Sequence, residues 1–456
     1  MKFVAVLFPV GAAVLLDTLF YASTGRKQFV NFLFQQVDDS EAAREWLALR
    51  KTLTVDEVKV LEYGGAVKGA EAFLQDPAGG VYTGLIDGRI VKLLSDDDYV
   101  DIACLGSNCG GACALAEAKK KQTEGNNLAP DSCSRPLGLQ FLDPEAATGT
   151  TKTLLVCDVF RGLLKVNVPA EHQPKRLQEP SPFEVLLSEA GGQRPYFSNA
   201  LLKHGDHVYF TDSSQTNNFG TKGRIILEPD ATGRLVEFNM KTKQARVVLD
   251  KLDFPNGLAF TPDRDAILMV ETKTRSIKKI QITGPRKGQV EDWVRELPFV
   301  PDNITELPDG LGYLVGSAFV KKFPPPKGSS PSVALSIFKA VHRRVANALL
   351  FTHLKTVGRI LYPLTDFGPL SSALDALLTK IGGGGHLFHL DTQGKVRRWI
   401  SLPPQCPAVS EGTLVSWGKF PAGHVKLSAD SHFLLVGSFA KNSICKVPLG
   451  ALLDSI

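Results

Sequence analysis

From Val58 onward, apolar and polar residues alternate in runs of a few positions, each closed by Gly, Asp or Asn, the period of β-strands joined by tight turns. One hairpin recurs. Val81 to Leu93 is echoed by Leu155 to Asn167, then by His207 to Ser213 with Arg234 to Val248, and by Ala266 to Ile282. Gly312 to Ser317 with His386 to Ile400, and Phe433 to Pro448, continue the series. Roughly six units spaced by about 45 to 70 residues have the length of propeller blades with loop insertions. The expected fold class is all-β: a six-bladed β-propeller over residues 58–456. A β-sandwich would leave the recurrence of one hairpin unexplained.

Three stretches depart from this period. Phe3 to Ala22 is apolar apart from Asp17 and is flanked by Lys2, Arg26 and Lys27. About 20 such residues span a bilayer, so residues 1–25 are expected to form a membrane-anchor helix, with a cleaved signal peptide as the alternative. Residues 26–57 form a stalk in which Ser40 to Leu53 reads as a short amphipathic helix with Asp38 and Asp39 at its start. The third stretch, residues 332–381, places Val333, Ile337, Val341, Val345 and Leu349 on one stripe between a run of prolines and a run of glycines. It is expected to be a helical insertion between late blades, lying on a membrane surface or over the central channel.

The chain has 456 residues, 43% of them hydrophobic, enough for one large core. Its net charge of +5 is too weak and too dispersed for a nucleic-acid partner. Seven cysteines are present. Cys104, Cys109, Cys113 and Cys133 cluster in a loop-like stretch, where irregular separations and the lack of histidine favour disulfides over zinc. The odd count leaves a free thiol. Membrane-anchored placement in the secretory pathway, with the propeller lumenal or extracellular, is the expected localisation; secretion is the alternative.

Four short turns each lead an oxygen donor into a β-run: Glu71, Asn199, Asn256 and Asp302, with Asn303 as a further donor. At equivalent points of repeated sheets they would converge on one axis and make a calcium site, two carboxylates supplying charge and two carboxamides neutral oxygens. The absence of His and Cys from these turns argues against zinc or copper. Each residue alone also fits a turn or a cap. Asn303-Ile304-Thr305 matches an N-glycosylation sequon, though a channel-facing Asn would be inaccessible. His204, His207, His386, His389 and His424 read as structural or exposed.

Pro136-Leu137-Gly138-Leu139, the Asp158 to Leu164 hairpin, Tyr209-Phe210-Thr211-Asp212-Ser213-Ser214, Phe254-Pro255-Asn256-Gly257-Leu258 and Leu297 to Ile304 resemble the strictosidine synthase-like family. The resemblance implies kinship with paraoxonase and gluconolactonase propellers, whose central calcium is held by a Glu, two Asn and an Asp; here these become Glu71, Asn199, Asn256 and Asp302, with Asn303 beside them. Three departures matter. Leu427 stands where plant strictosidine synthases carry a late catalytic glutamate, which argues against amine–aldehyde condensation. Leu137 replaces the histidine of paraoxonases, and Ala200 follows Asn199 where many relatives have Asp. The expected function is a calcium-dependent ester or lactone hydrolase of arylesterase type, with Asp302 or Glu71 as base and Arg135 orienting the small-molecule substrate. The rival is a membrane-anchored scaffold propeller with a structural calcium.

Overall fold

The computed structural model describes residues 41–76, 79–106, 133–143, 151–169, 177, 179–187, 189–217, 219, 225, 231–320, 384–407, 409–417, 431–438 and 444–453. Six antiparallel sheets follow one another along the chain as the blades of a propeller. A lone strand, β1 (Arg50–Thr52), and a second, β2 (Lys59–Leu61), precede them. Blade 1 is β3 (Phe73–Gln75), β4 (Val81–Gly84), β5 (Arg89–Leu93) and β6 (Tyr99–Cys104), and blade 2 is β7 (Pro136–Phe141), β8 (Thr151–Asp158), β9 (Gly162–Pro169) and β10 (Phe183–Val185). Blade 3 comprises β11 (Ser198–His204), β12 (His207–Asp212), β13 (Gly233–Asn239) and β14 (Gln244–Leu252), and blade 4 β15 (Pro255–Phe260), β16 (Ala266–Glu271), β17 (Ser276–Gln281) and β18 (Val290–Val294). Blade 5 holds β19 (Phe299–Glu306), β20 (Tyr313–Val320), β21 (His386–Leu390) and β22 (Val396–Ser401), and blade 6 β23 (Glu411–Ser416), β24 (His432–Gly437) and β25 (Ile444–Pro448). The first strand of each blade is innermost.

The recurring hairpin of the sequence forms the second and third strands of every blade. The second strands are largely apolar on both faces because each face packs on a neighbouring blade, and every residue of β16 and β24 is buried. Tyr82, Ile90, Leu154, Val156 and Leu164 fill the space between blades 1 and 2, while Leu155, Leu163, Val208 and Phe210 fill that between blades 2 and 3. Each such side chain contributes about 1.5–3 kcal/mol on burial.

The ring closes through the N-terminal segment. Blade 6 takes its outermost strand from β2, antiparallel to β25, while β1 adds a fifth, parallel strand to β22 of blade 5. Helix α1 covers only Glu41–Ala48 of the expected Ser40 to Leu53. Arg50 to Thr52 leaves the helical path because an unpaired edge of β22 is there to receive it, and the main-chain bond from Trp399 N to Leu49 O starts that ladder. The expected anchor, residues 1–25, and the expected insertion, residues 332–381, lie outside the described residues. Among the described residues no helix is long and apolar enough to cross a membrane.

Two further devices hold the seam. Cys406 is bonded to Cys445 of β25, Cys104 and Cys133 are also disulfide-bonded, and Cys157 is a free, buried thiol. Asp96, in the turn between β5 and β6, accepts hydrogen bonds from Lys59 of β2 (2.7 Å), Lys446 of β25 (2.8 Å) and Trp417 Nε1 (2.7 Å). Burial acts to raise the Asp96 pKa, but the hydrogen bonds from Lys446, Lys59 and Trp417 together bring it down to about 2. A carboxylate depressed in the folded state stabilises it above the unfolded value and loses that contribution as pH falls through the folded value. Asp96→Asn should therefore lower the thermal midpoint by a few degrees at pH 6, and the gap from wild type should shrink between about pH 4 and pH 2. Circular dichroism melts across that range check it; equal midpoints at pH 6 would remove Asp96 from the seam.

Candidate metal and substrate site at the hub

Four innermost strands begin in the same way. Pairing with the second strand reaches Pro136, Ser198, Pro255 and Pro301, in blade 5 after Phe299 and Val300 have already paired, then skips two residues as a bulge and resumes at Leu139, Leu201, Leu258 and Ile304. The first skipped residue is Leu137, Asn199, Asn256 or Asp302. In blade 1 pairing begins at Phe73, so Glu71 occupies the same place two residues earlier. Blade 6 starts with Glu411 opposite Gly437. Small residues let these starts crowd the axis: a Cβ on Gly257 would lie 2.5 Å from Cα of Asn303, and one on Gly138 2.8 Å from the Asn199 carbonyl oxygen.

Buried carboxylates at the ends of second strands tie down the segments entering the hub. Asp158 accepts the main-chain N–H of Arg135 at 2.8 Å and of Phe160 at 3.0 Å. Asp212 accepts Phe197 N at 2.8 Å and Arg234 at 2.8 Å, and Glu271 accepts Asp253 N at 2.7 Å. The next residue then orients the hub carboxamide. Asn199 Nδ2 donates to Ser213 Oγ (3.1 Å), which donates onward to the Pro255 carbonyl (2.7 Å), and Asn256 Nδ2 donates to Thr272 Oγ1 (3.2 Å). Ser213 thus supports Asn199 where Ala200 cannot.

Asn256 Nδ2 also donates to Asp302 Oδ1 at 2.5 Å, while Asn256 Oδ1 is buried without a hydrogen-bond partner. Glu71 is paired with Arg135 at 3.2 Å. Arg135 is 1% exposed, donates to the Gly69 carbonyl (2.7 Å) and does not line the cavity; it lies against a hub carboxylate, a place the sequence reading did not give it. Burial, then the charge of Glu71, holds Asp302 well above the usual carboxylate range, against hydrogen bonds from Ser410 and Asn256, with Glu411 adding to the rise. Burial also raises Glu411, and although Thr413 and Phe73 N donate to it, the charge of Glu71 helps bring it to about 7. Among the described residues no three His, Cys, Asp or Glu side chains form a metal cage by themselves. The hub is instead a mixed set of carboxylates and carboxamides.

That set fits a hard dication. It offers an unpartnered amide oxygen beside carboxylates whose pKa values are raised first by burial and further by the charge of Glu71, and it contains no soft ligand. All six innermost strands line one cavity of 530 Å³, reached by Glu71, Asn199, Asn303 and Glu411. Asn303, the first residue of the sequon, is 5% exposed and lines the cavity. The structure thus brings the expected donors to one hub and adds Glu411. Its sequence signal was Ser410-Glu411-Gly412, which echoes Pro255-Asn256-Gly257. Residues 425–428 lie outside the described residues, and Glu411 supplies the last blade with a hub carboxylate.

Residues 201–285 match the family model described as strictosidine synthase. The chain resembles the strictosidine synthase-like proteins. It is 32% identical over 246 residues to adipocyte plasma membrane-associated protein of Mus musculus, covering 54% of this chain and 52% of that protein. It is 33% identical over 248 residues to protein strictosidine synthase-like 8 of Arabidopsis thaliana, covering 54% and 58%. The chain therefore spans about half the length of the curated relatives it matches. A gluconolactonase structure from Xanthomonas campestris aligns at TM-score 0.47 and 12% identity, over 88% of this chain and 92% of that one.

Glu411 generates a test with a definite sign. A carboxyl raised to about 7 in the folded state favours that state below the unfolded value, and the contribution is lost as pH rises through 7, by roughly 3 kcal/mol in all. In chelator at pH 8, Glu411→Gln should melt above wild type, and the gain should fade by about pH 5. Coincident melts at pH 8 would show that Glu411 is not a destabilised carboxylate.

Proposed function

We propose that the protein is a calcium-dependent hydrolase of small esters or lactones, a reading carried by the partnerless Asn256 Oδ1 beside Asp302, at the hub whose Glu71, Asn199, Asn303 and Glu411 line the cavity. Glu71, Asn199, Asn256 and Asp302, with Asn303 as a further donor, would hold the ion. When bound, calcium supplies a Lewis acid for the acyl carbonyl. The chain's own groups do the rest. Arg135 keeps Glu71 in place, and Ser213 and Thr272 fix the two carboxamides so that oxygen is the atom left to a ligand. Leu137, buried with Val159, Phe197 and Phe254, makes the blade 2 side apolar and keeps water sparse there.

The proton acceptor for the attacking water is better assigned to Glu411 than to Glu71 or Asp302. Glu71 already faces a guanidinium, and burial followed by the charge of Glu71 raises Asp302 well above the usual carboxylate range, whereas Glu411 titrates at about 7, where a general base works best. Glu411 also favours a second reading, amine–aldehyde condensation, whose exclusion had rested on the lack of a late carboxylate.

The disulfides at Cys104, Cys133 and Cys406–Cys445 support an oxidising compartment, and the name of the murine relative supports a membrane association. We place the propeller on the lumenal or extracellular side.

Glu71→Gln and Asp302→Asn should each abolish calcium-dependent hydrolysis of phenyl acetate or a simple lactone while far-UV circular dichroism stays that of the wild type. Retained activity in both variants defeats the hydrolase. A calcium-dependent rise in melting temperature with no turnover points to a structural ion in a scaffold, and product from an amine and an aldehyde without hydrolysis points to condensation.

A further inference from the structure

The cavity has a second chemical end. Strand β11 runs from Asn199 at the hub to Lys203 and His204, a distance of about 13 Å for four residues of extended chain. There the lining changes sign. Lys203 makes no ion pair or side-chain hydrogen bond among the described residues, and Gln140 spends its Oε1 on the Lys203 N–H at 2.9 Å, leaving its Nε2 as a donor. Arg264 uses one guanidinium nitrogen on Glu306 (2.8 Å) and keeps its others, while its guanidinium and the His204 ring flank the same Phe260 ring at 5.2 and 5.9 Å. Gly205 is exposed and the Arg264 side chain is 51% exposed, so this end is open to solvent.

We propose that the Lys203 end of the cavity binds the carboxylate of an elongated organic anion, whose other end reaches the hub. Charge and donor count both support it. The single carboxylate here, Glu306, is already matched by Arg264, so Lys203 is an uncompensated charge among free N–H donors, the complement of a carboxylate's acceptor-only oxygens. As a statement about substrate, an ester or lactone bearing a remote carboxylate, it rests on the hydrolase reading; as a statement about binding, it does not.

Sebacate has a suitable span, and calorimetry on the full chain reads its binding directly. Wild type should bind sebacate, Lys203→Ala should weaken it by about tenfold or more, and Lys203→Arg should restore most of the loss. Decane-1,10-diol, which lacks the charge, should show no such sensitivity. Phenyl acetate is run beside it: turnover unchanged in Lys203→Ala, together with unchanged sebacate affinity, overturns the anion site and leaves the hydrolase standing. Sebacate binding lost in Lys203→Ala with no turnover in wild type leaves the anion site and removes the hydrolase. Failure of wild type to bind sebacate overturns the proposal outright.

Discussion

Three carboxylates meet at the hub of this ring, and only one of them has a cation beside it. Glu71 faces Arg135, while among the described residues no Lys, Arg or His pairs with Asp302 or Glu411. Burying unpaired negative charge is costly, and a protein responds by shifting pKa values or by binding a counter-ion. The raised values of Asp302 and Glu411 record the first response. The second would suit the orphaned Asn256 oxygen, since an uncharged donor adds coordination without adding repulsion.

The ring itself forces this meeting. Each innermost strand starts at the axis, and in blades 2 to 5 a shared bulge sets one residue there, so the chemistry of the hub is set by single residues at equivalent register positions. Blades 1, 3, 4, 5 and 6 contribute oxygen there; blade 2 contributes Leu137. The clamp carboxylates Asp158, Asp212 and Glu271 make the arrangement stiff, because each ties the segment entering its blade to that blade's second strand. Closure by β2 and the Asp96 network then holds the circle of blades to its circumference.

Much of this was legible in the sequence because strand period and turn residues are local properties. The six hairpins and the four turns that lead Glu71, Asn199, Asn256 and Asp302 to the hub could be read from short windows, while the free thiol followed from the odd cysteine count. What escaped were features that exist only after the ring closes. Glu411, which the turn pattern did not single out, becomes a hub residue only when its blade meets blade 1, where Phe73 N donates to it. Cys406 and Cys445 lie 39 residues apart and become partners only when β25 folds back. Arg135 read as a loop arginine suited to a substrate because nothing in its neighbourhood announces Glu71, 64 residues away. The helix expected to reach Leu53 stopped at Ala48 because a distant strand edge outcompeted local propensity.

The backbone before Asn256 shows how firmly the hub is set. Phe254 has φ of 65°, a left-handed conformation that is a true outlier for a bulky aromatic and costs of order 1–3 kcal/mol. It persists because the surroundings over-determine it: the ring packs 6.1 Å from that of Phe197, and its carbonyl accepts Thr272 N at 3.0 Å. Pro255 then fixes the next φ, and Thr272 also holds the Asn256 amide, so one residue grips both the strained carbonyl and the hub carboxamide. Strain of this kind would relax if Asn256 could face the axis from an ordinary turn. Its retention means that folding alone holds the Asn256 carboxamide in place, so a ligand at the hub would meet a side chain already ordered.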